Sequence, residues 1–328
     1  MGSQPTILVT GAGGFIGRHL VAQLLDQGAR LVCVVRDASR CALDAGTVHL
    51  VEGDLRHEAT LAQLPPSIDA VVHLAAMLGE WGVDAAQIEQ ANVHITRGLL
   101  AWFSASPARQ FVQVSTPGVQ GFGHRAAAED VAYNPRGAYE QSKVLAEQAV
   151  MRHAYNDAQG WTILRPDFVY GPGDRRRIKL YRRIQRRRWI KVGRGDAVLR
   201  PTYVGDVCEA IGHSLLDPRA YGQVFNVAGP EPVTAEQYVD GIATALGVPR
   251  PRLRLPAALF MAAAGVFEAL ARRSGSAPLF SRSQVEFLSQ DHATDIAKIR
   301  RTLGFVPRTD LAEGMGATVA WAREEGLL

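Results

Sequence analysis

Short apolar runs rich in β-branched residues recur at 7–10, 31–35, 48–51, 70–74, 111–115 and 162–164. Runs of this length bounded by polar or turn residues predict buried strands. Between them, stretches with helical spacing of apolar positions cover 15–27, 87–105 and 138–153. Strand and helix in regular alternation predict a parallel sheet with helices on both faces. Beyond Gly171-Pro172-Gly173 the alternation loosens into a basic segment, a run over 201–216, a short apolar run at 224–227 and a more irregular remainder. The most apolar stretch, LPAALFMAAAGVF at 255–267, is 13 residues long and is followed by Glu268. A membrane-spanning helix needs about 20 apolar residues. A helix packed inside a lobe is therefore expected here, against a membrane-surface or pocket-lining helix.

Composition narrows the class. A chain of 328 residues, 47% apolar and 21% charged, can fill one large core and a satellite lobe. It excludes collagen-like, disulfide-scaffold and disordered chains. Three cysteines leave one unpaired, and Cys33 lies inside a strand-like run, which fits a reduced, cytoplasmic setting. The opening residues show no basic region followed by an apolar one, so no signal peptide is expected.

The net charge of +4 is local in origin. Residues 175–191 carry ten Lys and Arg and no acid, while the rest of the chain holds more acids than bases. This does not mark a nucleic-acid-binding protein. Ile178, Tyr181, Ile184 and, more loosely, Trp189 are spaced as an apolar stripe. Three readings of the segment stand: a solvated face, a peripheral contact with an anionic membrane, and a grip on an anionic carrier such as CoA or phosphate.

Candidate chemistry begins directly after the first strand, at Thr10-Gly11-Ala12-Gly13-Gly14-Phe15-Ile16-Gly17. Gly11 permits a tight turn, Gly14 lets the backbone approach a pyrophosphate, and Gly17 permits close helix–strand packing. The free N–H groups of the helix that follows then face the phosphates. At the head of a strand–helix–strand series this pattern predicts a Rossmann-type dinucleotide site. The second strand ends in Arg36, then Asp37. Arg36 favours NADP by pairing with a 2′-phosphate; the rival reading is NAD, with Asp37 on the ribose 2′-hydroxyl. Tyr139 and Lys143 stand four residues apart on a helical segment, hence on one face. An ammonium beside a phenol lowers its pKa, which suits a proton donor and acceptor at a carbonyl or alcohol.

The chain resembles an extended short-chain dehydrogenase/reductase over nearly its whole length. The resemblance rests on the glycine loop, Glu52-Gly53-Asp54-Leu55, His73-Leu74-Ala75-Ala76, Asn92, Ser115-Thr116 with Val119-Gln120-Gly121, Tyr139-Glu140-Gln141-Ser142-Lys143, and Leu164-Arg165-Pro166 with Val169-Tyr170-Gly171-Pro172-Gly173. It implies that Tyr139 is the general acid/base, that Lys143 holds the nicotinamide ribose and tunes Tyr139, and that Thr116 hydrogen-bonds the reacting oxygen. It implies adenine contacts from Asp54 and Leu55. Ala75, Ala76 and Ser115 would line the cofactor, and Pro166 and later residues, Val169 among them, would meet the nicotinamide amide. His73 and Asn92 read as packing and positioning residues. No metal site is expected.

Departures narrow the group. Phe168 stands where sugar-nucleotide enzymes commonly have Asn, Arg200-Pro201-Thr202-Tyr203-Val204-Gly205-Asp206 replaces their Arg-Asp-Phe segment, and Pro117-Gly118 replaces the acidic pair of dehydratases. Arg200 remains a candidate phosphate ligand. The C-terminal part, with Leu255-Pro256, Ser281-Arg282-Ser283, Asp295-Ile296-Ala297-Lys298 and Leu303-Gly304-Phe305-Val306-Pro307, resembles the bacterial 3β-hydroxysteroid dehydrogenase-like branch. That branch implies a hydrophobic alcohol or ketone, with Phe168, Trp81, Met77 and the 255–267 helix lining its pocket, and a homodimer through the helices bearing Asn92 and Tyr139.

The expected organisation is a dinucleotide-binding domain over 1–170 and 203–228 and a substrate lobe over 171–202 and 229–328. The expected activity is NADP(H)-dependent interconversion of a secondary alcohol and ketone. The alternatives are a nucleotide-sugar epimerase that retains NAD and a non-catalytic cofactor-binding scaffold.

Overall fold

The structure is a computed structural model that describes residues 4–41, 46–79 and 81–328, apart from the side chain of Arg40. Its first half follows the apolar pattern closely. Strands β1 (Thr6–Thr10), β2 (Arg30–Val35), β3 (His49–Glu52), β4 (Ala70–His73) and β5 (Gln110–Val114) alternate with helices α1 (Phe15–Asp26), α2 (Glu58–Leu61) and α3 (Ala85–Ser104). Strand β6 (His124–Ala127), helix α4 (Ala138–Arg152) and strand β7 (Gly160–Pro166) follow. The Gln223–Val227 strand completes a seven-stranded sheet in the order Gln223–Val227, β7, β5, β4, β1, β2, β3. Every pairing in that sheet is parallel.

A sheet buried on both faces needs apolar side chains at most positions; Ile7, Leu8 and Val9 of β1 and Ala70, Val71 and Val72 of β4 supply them, while β5 also buries Gln110 and Gln113. One face packs on α1 through Leu20, Val21 and Leu24, and on the Val204–Ser214 helix through Val207 and Ile211. The other packs on α3 through Leu99, Leu100 and Phe103. Because β4 lies beside β1, the chain leaves the two strands toward opposite sides of the sheet. The crevice at their C-terminal ends is the place where such sheets bind ligands.

Most of the C-terminal residues build a second layer, although the Val204–Ser214 and Ala297–Leu303 helices pack on the main sheet. Helices α5 (Ile178–Gln185), α6 (Val204–Ser214), α7 (Ala235–Leu246), α8 (Ala257–Ser274), α9 (Arg282–Ser289), α10 (Ala297–Leu303) and α11 (Leu311–Glu324) complete the chain. Tyr181, Tyr238, Ile242, Met315 and Val319 form the core shared by α5, α7 and α11. The stripe expected from Ile178, Tyr181 and Ile184 is buried there, with Trp189 packed beside it, although the α-helix is confined to Ile178–Gln185. The His292–Thr294 strand pairs with β6 and brings the region after α9 back against the main sheet's C-terminal edge.

The 255–267 stretch departs from expectation. It forms α8, but only Ala264 and Ala271 of that helix are buried. One side of the helix packs within the lobe on Phe280 and on α9, and the other side is exposed, so the expected packing holds for one face only. Among the described residues, no helix is long and apolar enough to cross a membrane.

Candidate active site

The turn after β1 is shaped by its glycines. Gly11 has φ +71, and a Cβ there would meet the Ala75 amide nitrogen at 2.8 Å. A Cβ on Gly17 would collide with the Gly11 carbonyl. Gly14 is the N-cap of α1 and offers no side-chain cap, so first-turn N–H groups stay free for an anion. This open helix terminus on a glycine turn fits the pyrophosphate of a dinucleotide. Gly13 faces Cys41, and Ala75 N donates to Thr10 Oγ1 (3.2 Å).

At the end of β2 the Asp37 carboxylate accepts from Ser39 N (3.0 Å) and Ser39 Oγ (2.6 Å), capping a single turn. Arg36 is exposed at the same strand end. The Asp54 carboxylate is gripped by the Arg56 guanidinium (Nη2 to Oδ2, 2.6 Å), which holds it down at about 2. Leu55 is buried in the core beside α3.

One cleft of about 430 Å³ runs from the glycine turn along the strand ends to the C-terminal layer. Of the residues picked out from sequence, Gly11, Gly14, Phe15, Ile16, Gly17, Ala76, Ser115, Thr116, Tyr139, Lys143, Pro166 and Val169 line it. Gly13, Arg36, Asp54, Leu55 and Ala75 stand outside its lining. Tyr139 and Lys143 occupy the first two turns of α4, one above the other. Lys143 Nζ donates to the Val114 carbonyl at the end of β5 (2.7 Å). Thr116 caps the turn over Pro117–Gln120, its Oγ1 accepting from Gly118 N (3.2 Å). Ser115 Oγ is buried without a partner beside it.

Asn92 and His73 have the structural roles expected of them. Asn92 on α3 bonds both Met77 N (2.6 Å) and Met77 O (3.0 Å), and donates to Ser142 Oγ (2.8 Å), so it fixes α4 against the strand ends. His73 is buried between Thr10 Oγ1 and Thr96 Oγ1, and burial presses its pKa down to about 3.

The electrostatics correct one expectation. Burial raises Tyr139 to about 12, the Glu140 carboxylate adds to this, and Arg176, rather than Lys143, is the cation that opposes it. Burial lowers Lys143 to about 8, while Glu147 one turn on works the other way.

The far wall of the cleft is built around Phe168, which the sequence places at a substrate pocket. Phe168 adopts φ +31, a rare conformation for a bulky residue. Its ring packs on Phe287 (4.7 Å between centroids) and Tyr238 (4.9 Å), and the Arg177 guanidinium lies over it (4.3 Å). Phe122, Phe287, His292 and Thr294 complete this wall. Met77, Trp81 and α8, also expected around a substrate, do not line the cleft. Arg136 and Arg176 also line it, and Arg176 Nε lies 3.7 Å from Asp174 Oδ1. Asp167 lines the cleft between Pro166 and Phe168, accepts from Thr294 Oγ1 (3.0 Å), and is pushed up by burial to about 7. Arg200, considered as a phosphate ligand, instead ties three backbone carbonyls, those of Gly229, Pro230 and Thr294. Arg176 and Arg177 belong to the charge run after Gly173, one reading of which is a grip on an anionic group; Arg136 lies outside it. Phe287, His292 and Thr294 lie more than 100 residues from the parts of the site that had been legible, and no local pattern marks them.

The arrangement places a phenol, an ammonium and a hydroxyl in a cleft between the glycine turn and an aromatic wall. This suits moving a proton to or from a substrate oxygen as hydride is exchanged at the attached carbon. Comparison with known proteins agrees. Residues 7–228 match the model of the NAD-dependent epimerase/dehydratase family. A 2-alkyl-3-oxoalkanoate reductase of Stenotrophomonas maltophilia is 31% identical over 94% of this chain and 97% of its own length. A 3β-hydroxysteroid dehydrogenase/Δ5→4-isomerase of Mycobacterium tuberculosis is 28% identical over 92% of this chain and 86% of its own. Among solved structures, MoeE5 in complex with UDP-glucuronic acid and NAD is 26% identical, with a TM-score of 0.75 over 98% of this chain and 99% of that one. The chain belongs to the NAD-dependent epimerase/dehydratase family and is an enzyme of the extended short-chain dehydrogenase/reductase type.

Proposed function

We propose that this enzyme interconverts a ketone and a secondary alcohol on a hydrophobic substrate, using exchangeable NADP(H). The observation that carries this reading is the continuity of the cleft from the open N-terminus of α1, past Tyr139, to the aromatic wall of Phe122, Phe168 and Phe287. When bound, NADPH would supply hydride to the carbonyl carbon of the ketone, and NADP⁺ would accept it from the carbinol carbon of the alcohol. In the reducing direction Tyr139 gives its phenolic proton to the carbonyl oxygen, which yields the alcohol. Thr116 Oγ1 orients that oxygen, and Lys143 holds positive charge beside the transfer. Gly11, Gly13, Gly14, Phe15, Ile16 and Gly17 would carry the pyrophosphate, Asp54 and Leu55 the adenine, and Pro166 and Val169 the nicotinamide amide. A cytoplasmic homodimer joined through α3 and α4 belongs to the same reading, and the unpaired Cys33 and Cys208, both buried, suit that compartment.

Two features favour a ketone reductase over a nucleotide-sugar epimerase. The chamber is aromatic at Phe168, and Arg200 is occupied by backbone carbonyls. The similarity to a 2-alkyl-3-oxoalkanoate reductase supports a substrate with an acidic group near the ketone. Arg176, which lines the cleft close enough for its charge to reach Tyr139, would receive that group. Arg36 carries the preference for NADP, because Asp37 is engaged in capping the turn that follows. The test is titration of the purified protein with NADPH and NADH, for the wild type and Arg36→Asp. A charged hydrogen bond is worth about 1.5–3 kcal/mol, so the wild type should prefer NADPH by about tenfold to hundredfold and the variant should lose that preference. A tightly retained NAD that NADPH does not displace would overturn the reading.

A further inference from the structure

Helix α8 presents an apolar face to solvent. Leu259, Ala262, Val266, Ala269 and Leu270 recur at helical spacing on one side, and all are exposed; Leu259, Val266 and Leu270 are 57%, 59% and 54% exposed. No polar side chain interrupts this stripe before Arg273. A helix at a protein–water boundary normally turns charged residues outward. The opposite side of α8 is satisfied within the lobe: Phe260 and Phe267 pack on Phe280, and Met261 and Ala264 join Val285 and Leu288 of α9. Leu253 and Leu279, in the segments flanking α8, are also exposed (59% and 60%).

Charge identifies what covers this face. Arg250 and Arg252 precede α8, Arg272 and Arg273 close it, and all four are exposed. Glu268 is the one acid between residues 250 and 282, and it is turned to Arg282, accepting from its amide at 2.8 Å. An apolar stripe framed by arginines is the pattern of a helix lying in the surface of an anionic bilayer. A second copy of the chain docked face to face would set these arginines against their own copies. At 18 residues and about 1.5 Å per residue, α8 is suited to lie along such a surface rather than cross it.

We propose that α8, with Arg250, Arg252, Arg272 and Arg273, docks the enzyme on an anionic lipid surface. The basic 175–191 segment is less suited to that task. Its apolar residues Ile178, Tyr181 and Ile184 face the core, Arg175 pairs with Glu325, and Lys191 pairs with Glu236 and Asp240. The docked helix would stand one layer from the cleft, because α9 carries Phe287 in the cleft wall. An apolar substrate dissolved in the bilayer would then be drawn from beside the aromatic chamber.

The test is cosedimentation of the full chain with vesicles of phosphatidylcholine alone and of phosphatidylcholine with phosphatidylglycerol. The wild type should partition onto the anionic vesicles at least tenfold more than onto the neutral ones. Leu259→Glu with Val266→Glu should lose that binding while retaining wild-type NADPH affinity. Leu270→Trp supplies a second reading that does not depend on lost binding: its added fluorescence should shift to the blue on anionic vesicles. Wild type remaining in solution with both vesicle types would overturn the proposal. So would self-association that the double variant abolishes, which would assign the face to a second copy.

Discussion

The role proposed for Lys143 predicts how activity responds to pH. Its ammonium is buried against the Val114 carbonyl and loses its proton near pH 8, well below an ordinary lysine, whereas Tyr139 keeps its proton to about 12. For ketone reduction, kcat/KM should therefore fall about tenfold per pH unit above pH 8, following the charge on Lys143 rather than the phenol. Lys143→Arg keeps a cation at all these pH values and should move the fall upward by more than one unit. A fall that stays near pH 8 in that variant would assign it to another group. The sign for stability is separate. The folded-state pKa lies below the unfolded one, so burying the ammonium costs stability in full below pH 8. That cost is relieved as pH rises from about 8 to 10.5.

At the level of elements, α4 is held to β7 by a buried ion pair. Arg165 Nη2 meets Glu147 Oε2 at 2.6 Å, Tyr133 OH donates to the same oxygen (2.7 Å), and Arg165 Nη1 donates to the Glu129 carbonyl (3.0 Å). Removing one partner of such a pair leaves the other charged and buried, at a cost of about 3–5 kcal/mol. Glu147→Ala should lose about that much in urea denaturation; a loss under about 1 kcal/mol would contradict this role. The same comparison shows what was legible in the sequence. The alternation of strands and helices was legible because a sheet buried on both faces demands apolar runs, and the turn after β1 because only glycine fits its contacts. Tyr139 and Lys143 were legible because helical spacing alone stacks them. The Glu147–Arg165 tie, the pairing of His292–Thr294 with β6, and Phe287 at the cleft depend on contacts between distant residues, which no local spacing encodes. Helix α8 misled for the converse reason: apolar composition predicted a buried helix, but burial requires a neighbour, and its outer face has none within the lobe.

At the scale of the whole molecule, the cleft runs from the crevice between β1 and β4 to the wall that Phe168, Phe287 and His292 build, while α6 and α10 stay packed on the main sheet. The two halves meet at Tyr139, with the glycine turn on one side and Phe168 on the other. The central claim is that this junction carries net hydride transfer to a hydrophobic ketone, with Tyr139 as proton donor. The most direct measurement follows deuterium from NADPH labelled at the transferable C4 position into a long-chain 3-oxo acid, with wild type and Tyr139→Phe. The account predicts net cofactor oxidation and one deuterium at the new carbinol carbon. In Tyr139→Phe turnover should fall about 10²–10⁴-fold while NADPH binding is unchanged. Full activity in Tyr139→Phe, or no net oxidation alongside retained NAD and epimerised sugar nucleotide, would contradict it.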